Sequence, residues 1–84
     1  MNDIAFDEEL DVTGLSCPMP LIKSRHKINH LTAGQVLKLI ATDRGTINDI
    51  KGWVKTSDNL ELLAQKEDQT TGQHLYLHFI KKLH

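Results

Sequence analysis

The two prolines of this chain, Pro18 and Pro20, constrain its fold more than any other feature. Proline has a fixed φ and no amide hydrogen, so a helix tolerates it only in the first turn. It also pushes the residue before it, here Cys17, toward an extended conformation. We therefore expect a strand ending at Val12, a turn at Gly14, and a helix that begins at Pro18 with Cys17 as its N-cap.

Hydrophobic periodicity predicts the remaining elements. Helical spacing of Leu21, Ile28 and Leu31 extends the first helix to about Leu31. A second helix starts near Thr46, which with Asp49 resembles a capping box. Strand patterns lie at residues 10–12, 36–42, 60–64 and 74–79. The last two strands are close enough in sequence to form an antiparallel hairpin.

The resulting order, β-α-β-α-β-β, predicts the fold class. Because parallel crossovers are almost always right-handed, both helices should lie on the same side of the sheet. We expect an α/β two-layer sandwich with two helices on one face of a four-stranded mixed sheet. Residues 1–8 are expected to be a loose N-terminal leader and residues 9–84 a single domain, since 84 residues suffice for one modest core.

The last predicted strand alternates two sets of side chains. Its apolar members are expected under the helices, and His74, Tyr76 and His78 on the opposite, half-exposed face. A use of Tyr76 in RNA binding through base stacking stays open, although one aromatic ring makes a thin platform.

Cys17 is the only cysteine of the chain, and its position predicts a reactive thiol. A helix N-terminus lowers a cysteine pKa from about 8.5 into a range of about 3.5–7.5. Because Pro20 has no amide hydrogen, Met19 is the nearest donor to the thiolate. No acidic residue lies between Asp11 and Asp43, while the same interval holds Lys23, Arg25, Lys27 and Lys38. The alternative is a buried cysteine that acts only as a hydrophobe.

The composition limits the cellular compartment and the cofactors that are expected for this chain. A single cysteine excludes an intramolecular disulfide and a Cys-x-x-Cys metal knuckle, so a reduced, cytoplasmic setting is expected. No apolar run approaches the ~18 residues of a membrane span. His26 and His30 have a metal-compatible spacing without an evident third ligand, so we expect neither a metal nor another cofactor.

Four charged residues are candidates for partner binding. Lys23, Arg25 and Lys27 would attract an anionic surface, unless they form an ordinary solvated helix face. Asp43 ends the second strand, so it shares a sheet edge with the Cys17 turn if the first two strands are parallel. It would then contribute to a recognition surface, or serve only as a turn aspartate.

The motif Gly14-Leu15-Ser16-Cys17-Pro18-Met19-Pro20, together with Ala33-Gly34, Thr42-Asp43 and Asp49-Ile50-Lys51-Gly52-Trp53, resembles the TusA/SirA-like family of sulfur carriers and sulfurtransferases. The resemblance runs from about Leu10 to Lys82. It implies the same two-layer fold. It also implies that Cys17 holds sulfane sulfur as a persulfide, with Gly14, Pro18, Met19 and Pro20 supporting the thiolate.

The resemblance also implies partners. The sulfur would come from a cysteine desulfurase or a rhodanese-like protein and pass to a second protein, acting in tRNA thiolation, cofactor-related delivery or sulfur oxidation. Contact with tRNA would be indirect, and the protein a monomer without membrane contact. Asp43-Arg44 replaces the Asp-Pro of many relatives, and Val54 follows Trp53 where some have a second cysteine. Partner contacts can therefore differ, and a two-cysteine redox role is disfavoured.

Two other functions remain open at the level of sequence. The chain could be a partner-binding or RNA-binding regulatory module in which Cys17 is incidental. It could also be a thiol-based redox sensor that forms a sulfenic acid or a mixed disulfide. Whether the chain is an enzyme stays open; if it is one, the resemblance implies a sulfurtransferase that acts as a persulfide carrier within a relay.

Overall fold

A computed structural model of the protein describes residues 4–16, 18–70 and 72–84. The elements are β1 (Glu8–Val12), α1 (Met19–Ile28), β2 (Val36–Ala41), α2 (Thr46–Lys55), β3 (Leu60–Asp68) and β4 (Leu75–Lys82). The predicted order β-α-β-α-β-β is confirmed. The first strand includes Glu8, which the sequence assigned to the leader.

The four strands form one mixed sheet in the order β1-β2-β4-β3. β1 is parallel to β2, whereas β4 is antiparallel to both of its neighbours. The helices cover one face, and their buried side chains, such as Ile28 and Ile50, pack with inward residues of the sheet. These sheet residues include Val12, Leu37, Leu39 and Ile80. The two-layer sandwich and the β3–β4 hairpin are therefore confirmed.

The predicted facing of β4 is wrong. Tyr76, His78 and Ile80 are buried, and His78 pairs with the core residue Leu39 in the sheet register. Leu77 and Phe79 lie on the opposite face. The prediction failed because β4 is an inner strand with apolar side chains on both faces, so alternation did not show which face the helices cover.

The open face of β4 is partly covered by the start of the chain. The Phe6 ring lies 6.5 Å from that of Phe79, and the Lys38 ammonium lies 5.0 Å from the centre of the Phe6 ring. Asp7 fastens this segment to β2, since its amide donates to the Val36 carbonyl and its carboxylate accepts from the Val36 amide, both at 2.8 Å. Phe79 is consequently buried although no helix covers it.

Candidate functional site

The turn between β1 and α1 is built around Gly14. Its φ of +81° is the left-handed conformation that glycine adopts without a steric penalty. The Leu15 amide donates to the Val12 carbonyl at 3.2 Å and closes the turn. The Thr13 hydroxyl and amide bind Asp11 and hold the pKa of that carboxyl below its usual range. A carboxylate is thus fixed at the end of β1, facing its own turn.

The N-terminus of α1 differs from the prediction. Cys17 lies outside the described residues, but the N-cap is Pro18 and the first helical residue is Met19. The predicted N-cap at Cys17 is therefore wrong. The Met19 amide, expected to be the donor nearest the thiolate, donates instead to the Ser16 carbonyl at 3.0 Å. The helix starts late because Pro18 adopts a conformation outside the helical region (φ −97°, ψ 8°).

Pro20 anchors this end of the helix to the core. It is buried, and its carbonyl accepts a hydrogen bond of 2.6 Å from the hydroxyl of buried Ser24. Ser16, Pro18 and Met19 are exposed by contrast. The two sides of the motif thus have different environments: Pro20 fixes α1 against the sheet, and the residues that flank Cys17 face solvent.

The β2–α2 loop lies beside the Gly14 turn. Parallel β1 and β2 bring their carboxyl ends to the same sheet edge, and the Gly14 amide donates to the Thr42 hydroxyl at 2.8 Å. The next residue, Asp43, accepts a hydrogen bond from the Gly45 amide at 2.9 Å through its carboxylate. The structure therefore brings together the Gly14 turn and the loop that carries Asp43.

An apolar groove runs along the exposed side of α1. Met19 and Ile22, which are 40% and 50% exposed, line it with Leu10 from β1. Lys23 and Lys27 form its charged border, and Lys27 is also paired with Glu8 at 3.2 Å. One side of the helix thus combines exposed apolar side chains with positive charge.

Arg25 does not line the apolar groove of Met19 and Ile22. Two residues along a helix correspond to a rotation of about 200°, which turns Arg25 away from Lys23. It lines a separate groove between the helices, together with Asp49 and Trp53. Arg25 also lines a smaller pocket with Ile22 and His26, which both line the apolar groove, so it lies between the two grooves and not among Lys23 and Lys27.

A family model described as Sulfurtransferase TusA matches residues 8–81. The chain is 43% identical over 63 residues to the sulfur carrier protein TusA of Allochromatium vinosum, covering 75% of this chain and 82% of that protein. It is 42% identical over 82 residues to the sulfur carrier protein TusA of Pseudomonas entomophila, covering 98% and 96%. The chain belongs to the TusA family. The resemblance read from the motif is thereby confirmed.

Sequence reasoning missed a buried polar cluster in this TusA-family protein. His78 is fully buried, and its Nε2 lies 3.0 Å from the hydroxyl of Thr46 at the start of α2. Its Nδ1 lies 3.1 Å from the side-chain nitrogen of Gln65 on β3. The predicted capping box is also wrong, because Gly45 is the N-cap and the Thr46 hydroxyl bonds to Asp43 and His78.

The other histidine and aromatic candidates in the TusA-family chain lack features of a binding site. Tyr76 is buried and stacked against His74 at 4.6 Å between ring centroids, so it offers no open face for a base. Within residues 4–16, 18–70 and 72–84, there is no group of three or more His, Cys, Asp or Glu side chains that could hold a metal ion. No helix in the described part of the chain is long and apolar enough to cross a membrane.

Proposed function

We propose that Cys17 accepts sulfane sulfur as a persulfide and passes it to another protein. The observation that carries this proposal is the exposure of Ser16, Pro18 and Met19 at the N-terminal end of α1. Membership of the TusA family supports a sulfur-carrying role. The positive end of the α1 dipole favours a thiolate in this turn, and the first helical turn contains no acidic residue to oppose it.

The chemistry needs one thiol in the carrier. The Cys17 thiolate attacks the outer sulfur of the donor's persulfide, so a new S–S bond forms on Cys17 while the donor's S–S bond breaks. The electron pair of the broken bond leaves with the donor thiolate, and the hydrogen stays on the transferred sulfur. Attack by an acceptor thiolate on that same sulfur then regenerates Cys17. No external oxidant is consumed, and a second thiol in the chain is not required.

The apolar groove on α1 and the Asp43 loop are the proposed contacts for protein partners. A partner would cover Met19 and Ile22, while Lys23 and Lys27 would attract acidic residues at its rim. Arg25 would contact a different part of the partner, since it faces the groove next to α2. The protein would act as a monomer in the cytoplasm, and would meet tRNA only through an acceptor protein.

Intact-mass spectrometry tests the proposal. The protein is incubated with a cysteine desulfurase and L-cysteine, and separately with a rhodanese-type enzyme and thiosulfate. We expect the wild type to gain about 32 Da, the mass of one sulfur, and to lose it on addition of a reductant.

The matched control is Cys17→Ser, which keeps the size of the side chain and removes the nucleophile. It should gain no mass with either donor. A wild type that neither donor loads, or a serine variant that loads equally, would contradict the persulfide role.

A further inference from the structure

The His78 cluster links three elements through side chains that are far apart in sequence. The Thr46 hydroxyl donates to the Asp43 carbonyl at 2.7 Å and lies 3.0 Å from His78 Nε2. The Gln65 side-chain nitrogen donates to the Ile47 carbonyl at 2.9 Å and lies 3.1 Å from His78 Nδ1. The side chains of His78 on β4 and Gln65 on β3 thus bind the first turn of α2.

Counting hydrogens fixes the state of the imidazole. The single hydroxyl hydrogen of Thr46 is used on the Asp43 carbonyl, so His78 Nε2 must carry the hydrogen of the bond between them. The Ile47 carbonyl can only accept, which orients the Gln65 amide nitrogen toward it and leaves the second amide hydrogen for Nδ1. His78 is therefore the neutral tautomer with hydrogen on Nε2. A hydrogen on Nδ1 would face another donor.

Hydrogen bonds connect the His78 cluster to the β2–α2 loop beside the Gly14 turn. Thr46 binds the Asp43 carbonyl through both its hydroxyl and its amide, at 2.7 and 3.0 Å. The preceding residue, Thr42, accepts the hydrogen bond from Gly14 in the turn that leads to Cys17. Within the β2–α2 loop, the Gly45 amide donates to the Asp43 carboxylate and the Ile47 amide donates to the Arg44 carbonyl. Thr46 adds a link from this loop to β4, because its hydroxyl binds both the Asp43 carbonyl and His78.

We propose that His78, in its neutral tautomer with hydrogen on Nε2, is a positioning residue for sulfur transfer: it fixes Thr46 and thereby the Asp43 loop that a protein partner contacts. This inference rests on the proposed function. It predicts that loosening the cluster impairs docking of a protein donor and leaves the reactivity of the thiol unchanged.

The test compares two kinds of donor. Thr46→Val keeps the shape of the side chain and removes the hydroxyl, whereas Thr46→Ser keeps the hydroxyl. With whichever protein donor loads the wild type, we expect Thr46→Val to need an about fivefold higher concentration for half-maximal loading, equivalent to one hydrogen bond of ordinary strength. Thr46→Ser should need about the same concentration of protein donor as the wild type. Loading by inorganic polysulfide, which needs no docking surface, should change by less than about twofold.

Ile80→Val is the matched control for destabilisation, because Ile80 lies on the same buried face of β4 and has no polar link to the loop. If Thr46→Val does not fold, Gln65→Met carries the same expectation by removing the donor to Nδ1. If Thr46→Val and Ile80→Val raise the donor concentration for half-maximal loading equally, or if Thr46→Val does not raise it, the role of His78 is overturned and the proposed function is unaffected. A wild type that no protein donor loads would overturn it together with the proposed function.

Nitrogen NMR of the His78 ring gives a second, independent readout. At pH 7 we expect a protonated Nε2 and an unprotonated Nδ1, as the hydrogen count requires. The opposite tautomer or an imidazolium would contradict the hydrogen count and overturn the proposal.

Discussion

The imidazole of His78 is fully buried, and burial lowers its pKa from an ordinary 6.5 to about 4. The charged form is disfavoured because it would lose its hydration. It would also place a hydrogen on Nδ1, opposite the donor nitrogen of Gln65. Solvation and hydrogen bonding therefore both favour the neutral ring.

This preference predicts a pH-dependent stability. Between pH about 6.5 and about 4 the unfolded chain binds a proton at His78 that the folded protein does not, so the free energy of unfolding falls as the pH falls. We expect His78 to account for a loss of about 2 kcal/mol between pH 7 and pH 5. Urea unfolding at the two pH values measures it.

His78→Gln is the control, because glutamine offers a donor and an acceptor but does not titrate in this range. Between pH 7 and pH 5, the free energy of unfolding of His78→Gln should fall by about 2 kcal/mol less than that of the wild type. Parallel curves for the two proteins would show that His78 titrates normally in the fold.

The sequence could not have revealed this cluster. Thr46, Gln65 and His78 lie on three elements, and nothing local in their spacing signals that they meet. The thiol was easier to single out, since Pro18 and Pro20 follow the single cysteine of the chain within three residues. The error at the N-cap has a local cause: proline can occupy the N-cap as well as the first helical position, and the sequence does not distinguish them.

At the level of elements, α1 is held at its C-terminal end by a side chain from β4. The Lys82 ammonium donates to the carbonyls of Ile28 and Leu31 at 3.1 and 2.8 Å. A cation at this end of a helix meets carbonyls without intrahelical partners and the negative end of the dipole. This contact fixes the far end of the helix whose N-terminus follows the Cys17 turn.

Lys82→Met should therefore destabilise the protein. Methionine keeps most of the length and the apolar stem but removes the ammonium, so the carbonyls of Ile28, at the end of α1, and of Leu31, in the following turn, lose this donor. We expect a loss of about 1–2 kcal/mol in the free energy of unfolding, measured by urea denaturation.

Its neighbour provides the control. Lys81 points to the other side of the strand, and Lys81→Met should change the stability by less than about 0.5 kcal/mol. Equal losses from the two substitutions would contradict a specific role for Lys82 at the helix end.

The existence and order of the elements could be predicted, but not this contact. Helical spacing over residues 21–31 and turn residues between the strands indicate element type locally. The end of α1 was predicted three residues late, at Leu31, because Leu31 is buried like a helical core residue although it lies in the following turn. Lys82 is too distant in sequence for any local pattern to place it at that helix end.

At the level of the whole molecule, the sheet has one face covered by helices and another on which Ile4 and Phe6, among the described residues, lie beside Phe79. Phe6→Ala should uncover Phe79 and remove an aromatic contact, costing about 1 kcal/mol in the free energy of unfolding. Leu83→Ala is the control, since Leu83 and Phe6 are 41% and 43% exposed. A loss from Phe6→Ala no larger than that from Leu83→Ala would contradict a structural role for the N-terminal segment.

The strand order also has a consequence for synthesis. β4 lies between β2 and β3, so these two strands have no contact in the sheet until residues 75–82 have been made. His78, which contacts the start of α2, and Lys82, which binds the C-terminal end of α1, are both part of this strand. A nascent chain that has already exposed Cys17 outside the ribosome therefore lacks the scaffold around it. If Cys17 accepts sulfur as proposed, a partner protein that recognises the folded surface would load only chains in which β4 has joined the sheet.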